Sequence, residues 1–333
     1  MDGKILSFMQ LCTHGRVKFF WFFAAHNEVR MMENIINDSP FVPSPVIPTS
    51  YDGSKVIQFR CHKEIACFNA CCKNIDITLT PYDILRLKRR LGLTSGEFLL
   101  GFTEPYEMDQ NSIAGVKFKP VEDGTACQFM TDEGCSVYED RPTACRYYPV
   151  ALVSMRKQNE YTDTNSYALV EEAHCLGHKE NRSLTIDEYR HEQGLEVYDE
   201  LGRGWRQLVL KKKSSGPTVG TPSKRSLQLF FMACYDLDRF RDFVFSDSFN
   251  EMYDLPDDLK KKLAEDEIEL MQFGFRFLRQ VMFSEESIAV KADAFDKRVA
   301  KKQEREAAGL TSSEPAPAPV PDSPYDHPEC GCD

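Results

Sequence analysis

The chain has 333 residues, of which 42% are hydrophobic, enough apolar side chain to bury a core and too much for a chain disordered throughout. It is acidic, with 41 Lys and Arg against 52 Asp and Glu for a net charge of −11, which argues against a general nucleic-acid-binding surface because phosphate recognition needs a basic one. No stretch approaches the roughly 20 apolar residues of a membrane-spanning helix, so the expectation is a cytoplasmic protein with no nucleic-acid and no membrane partner.

In chain order, residues 1–30 are basic and aromatic, unlike the acidic remainder. The apolar run Phe19–Ala25 is short and no small-residue cleavage site follows it, so it is a poor secretory signal. Met31 and Met32 offer alternative starts, and translation is expected to begin at one of them. Residues 39–50 hold four prolines and read as an extended linker, closing an N-terminal extension over 1–50. A cysteine-rich segment follows, with Cys61, Cys67, Cys71 and Cys72.

Thr80-Pro81-Tyr82-Asp83 opens a helix, with Thr80 as cap, Pro81 at the first helical position and Asp83 favouring the dipole. Ile84, Leu87 and Leu91 form its apolar stripe and Gly92 ends it. Its basic run, Arg86, Lys88, Arg89 and Arg90, reads as a solvated face. Thr94 and Glu97 form a capping box for a second short helix. Residues 113–152 change to short runs rich in β-branched and aromatic residues, separated by Asp-Gly and Glu-Gly turns. These predict a small antiparallel sheet carrying Cys127, Cys135 and Cys145, with 166–172 as a further strand.

A helix is expected from Thr185, capped with Glu188, toward Leu201, and residues 211–226 read as a loop. Beyond it the pattern is helical over about 225–247, 257–283 and 287–307. The Pro-, Ala- and Ser-rich tail from Gly309 lacks apolar periodicity, is expected to be disordered, and ends in Cys330-Gly331-Cys332. The predicted fold is α+β: a small antiparallel sheet and helices around a cysteine-ligated metal centre, then a mainly helical half. The predicted division is a metal-binding domain over 51–205, a loop over 206–226, a helical region over 227–307 and a tail over 308–333.

Eight of the twelve cysteines fall between residues 61 and 175: Cys61, Cys67, Cys71, Cys72, Cys127, Cys135, Cys145 and Cys175. Thiolate is the preferred ligand of zinc and of iron–sulfur clusters. Only Cys67-x3-Cys71 has zinc-knuckle spacing, and ferredoxin spacings are absent. A radical adenosylmethionine motif would need a cysteine where Asn74 stands. The ligand set must therefore be assembled by tertiary structure. Arg141 and Arg146 flank Cys145 and are expected to stabilise a negatively charged thiolate centre. His62, His174 and His178 adjoin Cys61 and Cys175; they are expected to be surface or hydrogen-bonding residues, with mixed ligation the alternative. Cys12 and Cys234 read as small buried hydrophobes. Cys71 and Cys72, being adjacent, are expected to point in different directions.

Phe59-x-Cys61, Cys67, Cys71-Cys72, Leu79-Thr80-x-x-Asp83-Ile84, Cys127-x-Phe129, Cys135-x-Val137-Tyr138 and Arg141-Pro142-x-x-Cys145-Arg146-x-x-Pro149 together resemble the YkgJ-type cysteine-cluster family, a zinc- or iron-chelating domain. The resemblance covers about 55–200 and maps the last family cysteine to Cys175. Many members have C-x2-C-x2-CC in the first segment, whereas the gaps here are five and three. The resemblance implies a metal centre, either an iron–sulfur cluster or zinc. Some relatives are flagellin lysine methylases, which use adenosylmethionine and contain an iron–sulfur cluster. No Gly-rich adenosylmethionine loop after a strand is visible here, and no catalytic residue is assigned. Three readings stand: an iron–sulfur metalloprotein, a structural zinc module whose helical half binds a protein partner, and an adenosylmethionine-dependent protein-lysine methyltransferase.

Overall fold

The computed structural model describes residues 49–108, 113–156, 163–214 and 222–307. The expected N-terminal extension and nearly all of the Pro-rich linker lie outside them, as do Cys12 and the tail with Cys330 and Cys332. All described residues belong to one compact unit. The class is α+β, with small antiparallel sheets first and a mainly helical C-terminal half.

Strand β1 (Val56–Gln58) precedes the cysteine segment, which winds through a 3-10 turn at Ala70–Cys72 into β2 (Thr78–Leu79). Helix α1 (Pro81–Leu91) starts and stops where its sequence directs. Thr80 Oγ1 accepts from Asp83 N, the Asp83 carboxylate accepts from Thr80 N, and Gly92 takes φ 68° at the end, a conformation costly for any residue with a Cβ. Thr94 and Glu97 repeat the capping box for α2 (Ser95–Phe102). Strands β3 (Thr103–Glu107) and β4 (Ala114–Phe118) follow, then the hairpin β5 (Met130–Thr131) and β6 (Gly134–Cys135). Cys145 lies on a short helix, α3 (Thr143–Tyr147), and not on the expected strand. Strands β7 (Val150–Arg156), β8 (Asp163–Leu169) and β9 (Ser183–Thr185) complete the β portion. Among the described residues the single expected sheet is four small ones, ordered β1-β9, β2-β4-β3, β5-β6 and β7-β8.

The helix expected from Thr185 is two. Its capping box forms, starting α4 (Ile186–Glu192), but Gly194 at φ 63° ends it, and α5 (Leu195–Ser214) runs into the expected loop. The stretch over 225–247 breaks at Asp236 into α6 (Lys224–Tyr235) and α7 (Leu237–Val244), followed by α8 (Asp247–Met252). Asp236 leaves the helix to accept a 2.6 Å hydrogen bond from Ser95 Oγ. The stretch over 257–283 divides into α9 (Asp257–Glu265) and α10 (Glu267–Phe283), because Asp266 caps the second by accepting from Ile268 N and Glu269 N. The last helix, α11 (Ala294–Ala307), starts later than the expected 287.

Helix α10 is the spine of the helical half, burying Leu270, Met271, Phe273, Phe275, Phe277 and Leu278. Burying each such side chain stabilises by about 1.5–3 kcal/mol relative to exposure. A Cβ on Gly274 would lie 2.9 Å from the Ala233 carbonyl, so only glycine lets α10 approach α6 this closely. Phe240 and Phe249 pack with tilted rings against Phe277 of the spine, the Phe240 and Phe277 ring centroids lying 5.9 Å apart. Among the described residues no helix is long and apolar enough to cross a membrane.

The basic run on α1 is a solvated face at Arg89 and Arg90, as its sequence predicts, but not at Lys88. Lys88 is only 5% exposed and pairs with Asp238 on α7 and Glu267 on α10. Arg89 Nε donates to Glu267 Oε2 at 2.7 Å, and Arg86 Nε to Asp140 Oδ1 at 2.8 Å. Acidic residues supplied by distant segments draw Lys88 inward and pair with Arg86 and Arg89 nearer the surface, which no helical periodicity reveals.

Candidate metal centre

The first four cysteines lie on an irregular segment between β1 and β2. Asn69, at φ 63°, turns the chain into the Ala70–Cys72 turn, and its side chain donates to Thr131 O at 2.9 Å. This tight turn brings Cys71 Sγ and Cys72 Sγ to 3.9 Å, so the adjacent thiols share a face where divergence was expected. The Cys72 carbonyl accepts from Cys127 N at 2.8 Å, and Ile75 N donates to Thr125 O at 2.9 Å. Met130 N in turn donates to Cys127 O, and Met130 pairs with Cys135 in the β5–β6 hairpin. Backbone hydrogen bonds thus carry Cys127 and Cys135 to the first segment.

Cys145 arrives by a different route. Its helix α3 starts at Thr143, whose N and Oγ1 both donate to Asp83 Oδ1, at 2.8 and 2.7 Å. Asp83 is fully buried, and its other oxygen accepts from Thr80 N at 2.8 Å. One carboxylate therefore fixes the starts of both α1 and α3. Burial pushes the Asp83 carboxyl up, against hydrogen bonds from Thr80 and Thr143 that favour its ionised form. The sequence shows Asp83 only as a cap residue; its second role spans 60 positions and leaves no local signal.

Cys175 closes the set. Leu176 N donates to Cys67 Sγ at 3.3 Å, and Arg60 N donates to Gly177 O at 3.1 Å. Amide hydrogen bonds to sulfur are among the features that tune thiolate metal centres.

All eight cysteines are free, with Cys61 and Cys71 exposed and the other six half-buried. Their mutual influence puts them in one region. Burial pushes the Cys61 thiol up to about 11, with Cys71, Cys67 and Cys175 adding to it. Cys72 is raised by its hydrogen bond with Cys71, then by burial and by the charges of Cys71, Cys127 and Cys145. Cys145 is raised by burial, then by Cys127, Cys135 and Cys71. Cys127 and Cys135 are raised too, chiefly by burial. Cys71 alone falls, to about 7, because Cys72 hydrogen-bonds to it. So many thiols cannot ionise together without a cation to offset their repulsion. Among the described residues, no three His, Cys, Asp or Glu side chains already surround a point where one metal ion would sit.

The flanking residues divide. Arg146 does not face the thiols: its guanidinium donates to the carbonyls of Arg141, Gln193 and Glu139, and lies over the Tyr198 ring at 4.4 Å. Arg141 donates to Tyr138 O and Gln193 Oε1, yet its charge still favours the Cys135 thiolate. His62 pairs with Glu64 and Glu180, His174 with Glu172, and His178 Nε2 sits 3.2 Å from Val170 O, as hydrogen-bonding residues do. Cys234 is fully buried in the helical core, as its sequence predicts.

Residues 60–175, a span that includes all eight cysteines, match the family model CxxCxxCC, described as a putative zinc- or iron-chelating domain. No curated protein and no solved structure matches the chain.

Proposed function

From the premise that residues 60–175 carry a zinc- or iron-chelating domain of the cysteine-cluster family, we propose that their thiolates hold an iron–sulfur cluster. The observations that support this reading are the hydrogen bonds tying Cys67 to the Cys175 turn and Cys72 to Cys127, with all eight thiols unbridged and, among the described residues, no three donors set around a single ion-sized point. A tetrahedral zinc site packs its sulfurs about 2.3 Å from one atom. A cluster distributes its cysteines over several iron atoms and so accepts a wider spread of sulfurs. When bound, it would supply one-electron redox chemistry or a rigid structural crosslink. The protein's part is to gather the thiols, give up their protons on binding, and order the irregular 60–75 segment around the centre.

One observation favours zinc as the second reading. The 3.9 Å between Cys71 and Cys72 Sγ is close to the edge of a zinc–thiolate tetrahedron, about 3.8 Å for a 2.3 Å Zn–S bond. Zinc would make the centre structural and move function to the helical half and a protein partner. Iron, zinc and acid-labile sulfide measured on one anaerobically purified sample decide between them. Iron with matching sulfide supports the cluster; stoichiometric zinc without sulfide overturns it.

A further inference from the structure

The Cys71–Cys72 turn is fastened to the segment that follows Pro120 by hydrogen bonds in which no sulfur takes part. Three lie on the C-terminal side of the pair. Cys127 N donates to Cys72 O at 2.8 Å, Thr125 Oγ1 to Lys73 O at 2.9 Å, and Ile75 N to Thr125 O at 2.9 Å. On the N-terminal side the bond comes from a side chain. Asn69 Nδ2 donates to Thr131 O at 2.9 Å, in the β5–β6 hairpin where Thr131 pairs with Gly134. Asn69 also shapes the turn itself: its carbonyl accepts from Cys72 N at 3.0 Å, and its backbone stands at φ 63° and ψ 1°. The hairpin is cut to fit this approach, since a Cβ on Gly134 would come within 3.3 Å of the Phe68 ring.

We infer that Asn69 is a positioning residue of the metal centre, one that sets the Cys71–Cys72 pair in place before metal arrives. The inference rests on the metal-binding reading above and adds a residue that shapes the site without being a ligand. The position makes two demands at once. A left-handed backbone favours glycine, with asparagine next because its short amide bonds locally. Thr131 O is a carbonyl and can only accept, so the side chain opposite it must donate. Glycine meets the first demand alone, and aspartate sets an oxygen against an oxygen. Asparagine meets both. The turn so held brings the two Sγ atoms to 3.9 Å. Thiols ordered in advance spare metal binding the cost of ordering an irregular segment, so loosening the turn falls on metal retention.

The test times the release of iron or zinc to excess EDTA from the full-length protein, purified anaerobically with its own metal. Asn69→Gly keeps the backbone conformation and loses the donor, and is expected to release metal about fivefold faster, the rate equivalent of one net hydrogen bond. Asn69→Asp, of the same shape but with no donor, should not rescue that loss. Asn69→Ala fails both demands and is expected to release metal about fiftyfold faster. Should it fail to fold, the Gly and Asp variants carry the comparison. Amide protection of α10 in the metal-loaded variants is expected to stay at the wild-type level, which a residue that merely stabilised the fold would not allow. Release from folded Asn69→Gly and Asn69→Asp within about twofold of wild type overturns the inference, as does a loss of α10 protection in step with faster release. A wild-type chain that carries no metal overturns the metal-binding reading along with it, so the two failures are distinguishable.

Discussion

Asp83→Ala removes the carboxylate that joins the start of α1 to the start of Cys145's helix. Three hydrogen bonds vanish: those from Thr80 N, Thr143 N and Thr143 Oγ1, at 2.8, 2.8 and 2.7 Å. Each hydrogen bond to a charged group contributes roughly 1.5–3 kcal/mol net. Relief from burying the carboxylate offsets part of that sum, as the upward push on its pKa shows. The expected net loss is about 3 kcal/mol, read by urea unfolding of the full chain. Asn keeps one carbonyl oxygen for Thr143 and forfeits the acceptor for Thr80, so Asp83→Asn should cost about 1 kcal/mol. The pH dependence reports the carboxyl itself. A carboxyl raised in the folded state stabilises most while protonated, so its contribution is fully present below its ordinary 3.8 and falls as pH rises through the folded value. Either substitution removes that decline. Metal content is the second readout, because a loosened α3 releases Cys145. If Asp83→Ala unfolds within about 0.5 kcal/mol of wild type and keeps full metal, the carboxylate does not hold the cysteine helix and the reasoning fails.

Lys88→Ala strands Asp238 and Glu267 without their shared cation, and should cost about 3 kcal/mol of unfolding free energy. Burial opposes ionisation of both acids, but hydrogen bonds from Ser95, Lys88 and Arg89 hold them below their ordinary 3.8 and 4.5. Their contribution is therefore present above those values and lost as pH falls through the lower folded ones, so acid titration should destabilise wild type there and Lys88→Ala less. Cys72→Ser and Cys145→Ser should each lower metal content and solubility together, and unchanged metal in both removes them from the ligand set. Arg146→Lys cannot span three carbonyls and one ring, and should cost about 2 kcal/mol by urea unfolding.

Where a helix cap is spelled out within four residues, the sequence and the structure agree. Thr80 with Asp83, Thr94 with Glu97, and Thr185 with Glu188 all form complete capping boxes. The α+β class was legible from the change between strand-like and helical patterning. The helix breaks are less legible. Gly194 and Asp266 are local signals that the apolar periodicity running through them masked. Asp236 breaks its helix through Ser95, 141 positions away, which no window on the sequence contains. The cysteines divide similarly. Their number and type made metal chemistry legible, but which thiols become neighbours depends on β1–β9 pairing and on Asp83. Arg146 misled because adjacency to Cys145 in sequence says nothing of direction: on a helix, neighbouring side chains diverge, and this one turns to carbonyl groups.

Helix α1 carries both long-range attachments. Asp83 in its first turn fastens the helix of Cys145, and Lys88 in its last turns fastens α7 and α10. The metal-binding portion and the helical half are thus not joined only by the chain between them; they share one rigid element. Metal binding that orders α3 stabilises the Asp83 contact, and through α1 it acts on the same helix that Lys88 anchors. Stripping the metal should therefore lower protection of α7 and α10 amides from hydrogen exchange as well as that of residues 60–75. Lys88→Ala should uncouple the two, leaving the loss confined to the cysteine segment and α3. Exchange in α7 and α10 that ignores metal in wild type would show that α1 is a support for the site and not a link from it.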